Sequence, residues 1–263
     1  MMKRILSIVL FGLMVCGPAF GWGREGHETI AKIAENNLKP SAKKKIEKCL
    51  GNHSIVYFAK WMDDYRHTPE YAFTTKWHVA SVDKDLKYVP NEKDGDAIIG
   101  LKQAVEALSN WKELSDSAVA VNLKYVIHLV GDMHCPGHIY YKGRNQNFKV
   151  KFGGGYVKPV VESKIHTVWD QYAIQATRIW SVSEYAAELD RMTAGQKKEI
   201  VAGTPVDWFE EAAQRCLFQF ELAKPGDTLA QDFVNVAMPY LETQMLYAGY
   251  RLAELLNSLF KIG

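Results

Sequence analysis

The sequence predicts an all-α fold with one small β-hairpin and long loops. Three observations carry this. Apolar residues recur at three- and four-residue spacing along most of the chain. Strand-like patterning is confined to one short region around Gly153-Gly154-Gly155. The composition, 48% hydrophobic and 24% charged over 263 residues, excludes a disordered chain, a collagen and a multi-span membrane protein. A chain of this length buries a core of useful size without staples.

The elements follow in order. Residues 1–21 read as a secretory signal peptide. Lys3 and Arg4 precede an apolar stretch over 5–15, and Ala19-Phe20-Gly21 puts small residues at the −3 and −1 positions of a cleavage site before Trp22. The apolar run is short for a membrane span, so no membrane attachment is expected after cleavage. Val15 before Cys16 argues against lipoprotein processing. Residues 22–263 show no repeat, low-complexity tract or linker and read as a single domain. A helix over 24–38 places Ile30, Ile33, Ala34 and Leu38 on one stripe. Ser41 is expected to cap a short helix ending near Leu50. Helices over 97–111 and 117–134 are long and amphipathic, and helices over 164–179, 183–189 and 205–222 follow. The last helix spans 229–260, with Pro239 as a kink point. Strands over 148–152 and 156–160 form the hairpin, and 79–96 reads as a polar, irregular loop.

Cleavage removes Lys3 and Arg4 but no acid, which balances the 32 basic against the 30 acidic side chains. No global basic field then draws in nucleic acid, and an anionic substrate must be gripped by a local site. Cys16 leaves with the signal, so Cys49, Cys135 and Cys216 remain, an odd number that leaves at least one unpaired. Without a CxxC pair the chain reads as neither a disulfide scaffold nor a thiolate zinc site.

Three segments carry chemistry. In His128-Leu-Val-Gly-Asp132-Met-His134-Cys-Pro-Gly-His138, His128 and Asp132 share one helix face. Pro136 ends that helix, and His138 can return toward the same cluster. His166-Thr-Val-Trp-Asp170 repeats the i, i+4 pair, and Trp61-Met-Asp63-Asp64-Tyr65-Arg66 is the third segment. Imidazole nitrogen and carboxylate oxygen converging at about 2.0–2.2 Å are what a divalent ion requires. A single such pair is usually a polar pair on a solvated face; two pairs plus a third histidine make a metal site as good a reading as that one.

In order along the chain, the motifs resemble those of the S1/P1 nuclease family, zinc-dependent single-strand nucleases and 3′-nucleotidases of the phospholipase C/P1 nuclease superfamily. The resemblance begins with Trp22-Gly-Arg-Glu-Gly-His27 at the expected cleavage point. It continues through the Trp61–Arg66 segment, His78, the His128–His138 block and His166–Asp170 to Gly249-Tyr250-Arg251-Leu252-Ala253. It implies a phospholipase C/P1 nuclease-like helical fold around three zinc ions. Asp63, His78, His128 and Asp132 would hold the first zinc, and His138, His166 and Asp170 the second. Trp22, through its amine and carbonyl, would hold the third with His27 and Asp132, so Asp132 would bridge two metals. A free amine exists at Trp22 only after cleavage.

The implied activity is endonucleolytic hydrolysis of single-stranded DNA and RNA to 5′-phosphate products by a secreted or periplasmic monomer, with 3′-nucleotides as further substrates. Asp63 would orient the attacking water, and Arg66 would stabilise charge on the phosphate. The alternatives are a zinc-dependent phospholipase C or a non-catalytic zinc-binding protein.

The chain departs from the family pattern in places. Lys164 stands two residues before His166, where the family often has Asn, and is carried as a substrate-binding residue. Gly143-Arg144-Asn145 resembles the family's Gly-Gly-Asn and nominates Asn145 for substrate binding. His134-Cys135-Pro136-Gly137 replaces a non-histidine, Gln, Pro and Leu. His134 reads either as a pH-sensitive neighbour of the site or as an exposed residue after the helix, the second being preferred. Tyr140, Tyr141 and Tyr156 are available to stack bases.

Overall fold

Caps and buried stripes set most of the helix boundaries. The computed structural model describes residues 22–154, 157–177 and 180–261; the signal segment expected over 1–21 lies outside them. α1 (Arg24–Asn36) buries Ile30, Ile33 and Ala34. α2 (Pro40–Cys49) starts with Pro40 in its first turn and Lys39 as N-cap, rather than with Ser41 as the cap. Proline's fixed φ suits that position and its missing N–H costs nothing there, so Ser41 falls inside the first turn. α3 (Trp61–Tyr65) is a single short helix.

The segment expected to be an irregular loop instead contains β1 (Ala80–Val82) and β2 (Tyr88–Val89), an antiparallel pair. Asp96 then caps α4 (Ala97–Ser109) by accepting from the Ile98 and Ile99 amides. Ser115 caps α5 (Asp116–Asp132). Every residue from Tyr125 to Asp132 is buried, so α5 runs through the interior rather than over it.

A 3₁₀ turn, Pro136–His138, leads into β3 (Ile139–Tyr141). β3 joins β1 in parallel, giving the order β2-β1-β3. The hairpin is present with longer strands, β4 (Lys149–Gly154) and β5 (Val157–Lys164), and an irregularity between Phe152 and Gly154. The expected 164–179 helix is composite: α6 (Ile165–Thr167), a π-helical turn Val168–Tyr172, and α7 (Ala173–Thr177).

α8 (Val182–Leu189), α9 (Ala194–Ile200) and α10 (Pro205–Arg215) each open with a capping box. α9 lacks a long apolar stripe, burying only Ile200, so periodicity does not predict it. The expected 205–222 helix breaks after Arg215 into a 3₁₀ turn and α11 (Gln219–Leu222). β6 (Thr228–Leu229) adds in parallel to β4. α12 (Gln231–Leu259) continues through Pro239.

The fold is mostly helical, with two small three-stranded sheets among the described residues. α1 packs against α12 and α8, and α5 against α4 and α12. Ile30, Ala34, Leu123, Ile127, Leu241, Met245 and Leu252 all belong to one buried cluster. No helix among the described residues is long and apolar enough to cross a membrane.

Candidate metal centre

Five local structures deliver side chains to one buried place: α5, α1, the chain leading into β1 and β3, the π-helical turn and α3. α5 presents His128 and Asp132, four residues apart, on one face. α1 brings His27, whose ring stacks on His128 at a centroid distance of 3.9 Å. That approach depends on Gly131: a Cβ there would sit 2.9 Å from His27 Nδ1. The parallel pairing of Ala80 with Ile139 aligns the chain just before each strand, so His78 and His138 arrive together. The His138 Nδ1 contacts the His78 carbonyl. The π-helical turn supplies Asp170, one turn after His166; single π turns inside helices are frequent at functional sites.

Asp132 is the hub. Its carboxylate lies 2.9 Å from His78 Nδ1, 3.1 Å from His128 Nε2, 3.3 Å from His138 Nδ1 and 3.4 Å from His27 Nε2. Asp63 Oδ1 on α3 lies 3.6 Å from His78, 3.8 Å from His128 and 3.7 Å from Arg66 Nη1. Asp170 Oδ2 lies 2.8 Å from His166 Nε2 and 3.6 Å from His138 Nε2. Asp63, Asp132 and His128 are fully buried, and Trp22 equally so. Trp22 Nε1 donates to the Gly131 carbonyl at 2.9 Å, and the Gly23 amide donates to the Asp170 carbonyl at 2.7 Å. These bonds pin the start of the described chain between α5 and the π turn.

The residues fit a metal. His27 Nδ1 and Nε2, both Asp63 oxygens, His78 Nε2, Asp132 Oδ1, His138 Nε2, His166 Nε2 and Asp170 Oδ2 are buried without a hydrogen-bond partner. Each such atom costs about 1–3 kcal/mol left unsatisfied. Three groups have ligand atoms within 4.8 Å of one another: His27–His128–Asp132, Asp63–His78–His128 and Cys135–His138–Asp170.

The protonation pattern follows from this crowding. Burial, with His128 adding to it, pushes the His27 ring down to about 4. Burial also lowers His78. Burial opposes charge on His138 too, but Asp132 and Asp170 hold it up at about 9. Against burial, His166 and His138 hold Asp170 down at about 2. His128 and His138 hold Asp132 well below the usual carboxylate range.

The cluster opens into a cavity of about 400 Å³ that exposes His78, His138 and His166. Arg66, Tyr140, Asn147 and Lys164 stand around it. Asn145 is not among the lining residues; it is exposed and accepts from the Asn147 amide at 3.4 Å. Tyr141 is core, its hydroxyl donating to the Ala213 carbonyl at 2.6 Å. Tyr156 lies outside the described residues.

Two neighbours differ from the sequence reading. His134 is not an exposed residue after the helix. It is fully buried, its Nε2 2.8 Å from Arg251 Nη1, and Arg251 also pairs with Glu211. Burial, and Arg251 beside it, keep the ring neutral. Cys135, which sequence spacing separated from metal chemistry, is buried against Asp170, Sγ to Oδ1 2.9 Å. Burial and that carboxylate hold its thiol well above the ordinary range, so it is a donor. Its place between His134 and His138 was the available signal. Cys49, Cys135 and Cys216 form no disulfide.

Fold and site together define a mostly helical protein with a buried His/Asp centre beneath an open cleft. The S1/P1 Nuclease family model matches residues 22–261, and the chain belongs to that family. Nuclease S1 of Aspergillus oryzae is 25% identical, across 97% of this chain and 98% of its own length. Endonuclease 2 of Arabidopsis thaliana is 24% identical, across 97% of each chain. Nuclease P1 of Penicillium citrinum is 25% identical, across 90% of this chain and 97% of its own.

Proposed function

We propose that this chain is an exported, zinc-dependent endonuclease that hydrolyses single-stranded DNA and RNA to 5′-phosphate products, with 3′-nucleotides as further substrates. Residues 1–21 are its leader, removed before Trp22, and 22–263 its single catalytic domain. The observation that carries the reading is the set of orphaned buried imidazole and carboxylate atoms beneath the cleft in a chain of this family. Asp63, His78, His128 and Asp132 would hold one zinc, His138, His166 and Asp170 a second, and His27, Asp132 and the Trp22 amine and carbonyl a third. When bound, zinc in such a centre supplies Lewis acidity toward the phosphodiester and a nucleophile at neutral pH.

The chain's own groups divide the remaining work. Asp63, buried behind His78 and Arg66, is assigned to orienting the attacking water. Arg66, next to it and lining the same cavity, clamps the phosphate and stabilises its developing charge. Exposed Lys164 at the rim supplies a further cation for the backbone, and Asn145 near the rim is assigned to substrate binding. Tyr140, 41% exposed at the rim, offers a face on which an unpaired base can stack; a duplex hides its base faces.

The deciding experiment is hydrolysis of single-stranded and duplex DNA and RNA by protein beginning at Trp22, with and without a chelator, reading the new ends. Chelator-sensitive cutting of single strands to 5′-phosphate ends is expected. Inertness of zinc-loaded protein toward every nucleic acid would overturn the assignment.

A further inference from the structure

Cys135 is assigned to none of the three zinc ions above, although its Sγ lies within 4.8 Å of ligand atoms of His138 and Asp170, and it is locked onto one of the assigned ligands. Its thiol donates to Asp170 Oδ1 at 2.9 Å. The Gly137 amide also donates to this sulfur. Cys135 is fully buried and Asp170 nearly so. The other carboxylate oxygen, Oδ2, faces His166 Nε2 at 2.8 Å and His138 Nε2 at 3.6 Å. Gly137 makes room for this arrangement, since a Cβ there would stand 2.7 Å from Asp170 Oδ1.

We propose that Cys135 is a positioning residue for the second metal: its thiol holds Asp170 Oδ1, so that Oδ2 alone is turned toward His138 and His166. This inference rests on the metal reading above. Donating to Oδ1, the sulfur acts on the ligating carboxylate rather than on the metal. Its part is to remove the rotational freedom of a ligating carboxylate, as outer partners of metal ligands do. A sulfur that accepts from the Gly137 amide and donates to Asp170 is spoken for. A thiolate ligand would leave Oδ1 without its donor.

The test compares the mature chain with Cys135→Ala and Cys135→Ser. Metal content and affinity are titrated against a chromogenic chelator, and the cobalt-substituted protein is examined by absorption spectroscopy. Cys135→Ala should weaken one metal by about 10–100-fold, while Cys135→Ser, which keeps a donor, stays close to the native affinity. The cobalt form should show no thiolate-to-metal charge-transfer band. Thermal unfolding of the metal-free variants separates a packing loss from a loss of metal. Native affinity in Cys135→Ala overturns the inference alone, as does a serine variant as weak as alanine or a charge-transfer band that makes Cys135 a direct ligand. A native chain that holds no metal at His138, His166 and Asp170 overturns the metal reading and this inference with it.

Discussion

Replacing Asp132 with Asn tests the centre at its hub. The substitution keeps the size of the side chain and removes its charge from among four buried imidazoles, His27, His78, His128 and His138. His128 is raised and His138 is held up at about 9 mainly by the Asp132 carboxylate acting against burial. Removing one partner of such a buried ion pair costs about 3–5 kcal/mol. At about 2–4 °C per kcal/mol for a chain of this size, the metal-free Tm should fall by roughly 6–20 °C. The pH dependence has a definite sign. A histidine with a raised folded pKa contributes its stability in full below its unfolded value, about 6.5, and loses it as pH rises through the folded value. The gap between native and variant Tm should therefore be widest near pH 6 and close toward pH 9. Calorimetry in chelator across that range measures it, and elemental analysis should show two zinc ions lost per chain. An unchanged metal-free Tm would refute the electrostatic hub, and full zinc content would refute the bridging role.

Other perturbations isolate other parts. Two residues added before Trp22 should lower zinc content by about one ion per chain and reduce activity; normal zinc and normal activity would refute the amine as a ligand. Arg66→Ala should lower kcat by about 10²–10³-fold with zinc content unchanged, whereas loss of zinc would make Arg66 a support for Asp63. His134 is neutral in the folded chain because burial and Arg251 oppose its charge, yet it takes up a proton near pH 6.5 when unfolded. Stability should therefore fall as pH drops below that value, and His134→Gln should flatten the slope by about 1.4 kcal/mol per pH unit. Denaturant titrations of metal-free protein from pH 4 to 7 measure this, and an unaltered slope would count against it.

The helices were legible where an apolar stripe was long, as in α1, α4, α5 and α12. Short elements depend on partners that one-dimensional periodicity does not contain. β1 and β3 are three residues each and pair across nearly sixty residues of chain, so neither could announce itself as a strand. The π turn around Asp170 keeps the i, i+4 pattern of an ordinary helix and is invisible to spacing. α9 is held by its Thr193–Gln196 capping box rather than by a wide buried face.

Legibility of the site divides along the same physical line. His128 with Asp132, and His166 with Asp170, are neighbours through helical geometry, so the sequence alone could bring each pair together. His27, Asp63 and His78 meet them only through tertiary packing, and it was the order of motifs, not spacing, that singled them out. Residues where the chain leaves the family pattern were hardest to read, because a substitution looks like noise until its neighbour is known. Cys135 and Gly137 illustrate why. Taken singly, one is a buried thiol and the other a small residue in a turn. In the fold both meet the same oxygen, Asp170 Oδ1, one by donating to it and the other by leaving space for it. Their effects should therefore be coupled. A Gly137→Ala chain, whose added methyl displaces the carboxylate, should gain little further loss of second-metal affinity from Cys135→Ala, and a double-mutant cycle on that affinity reads the coupling directly. Additive losses would mean that the two residues act on the site independently, and the shared oxygen would then be a coincidence of packing.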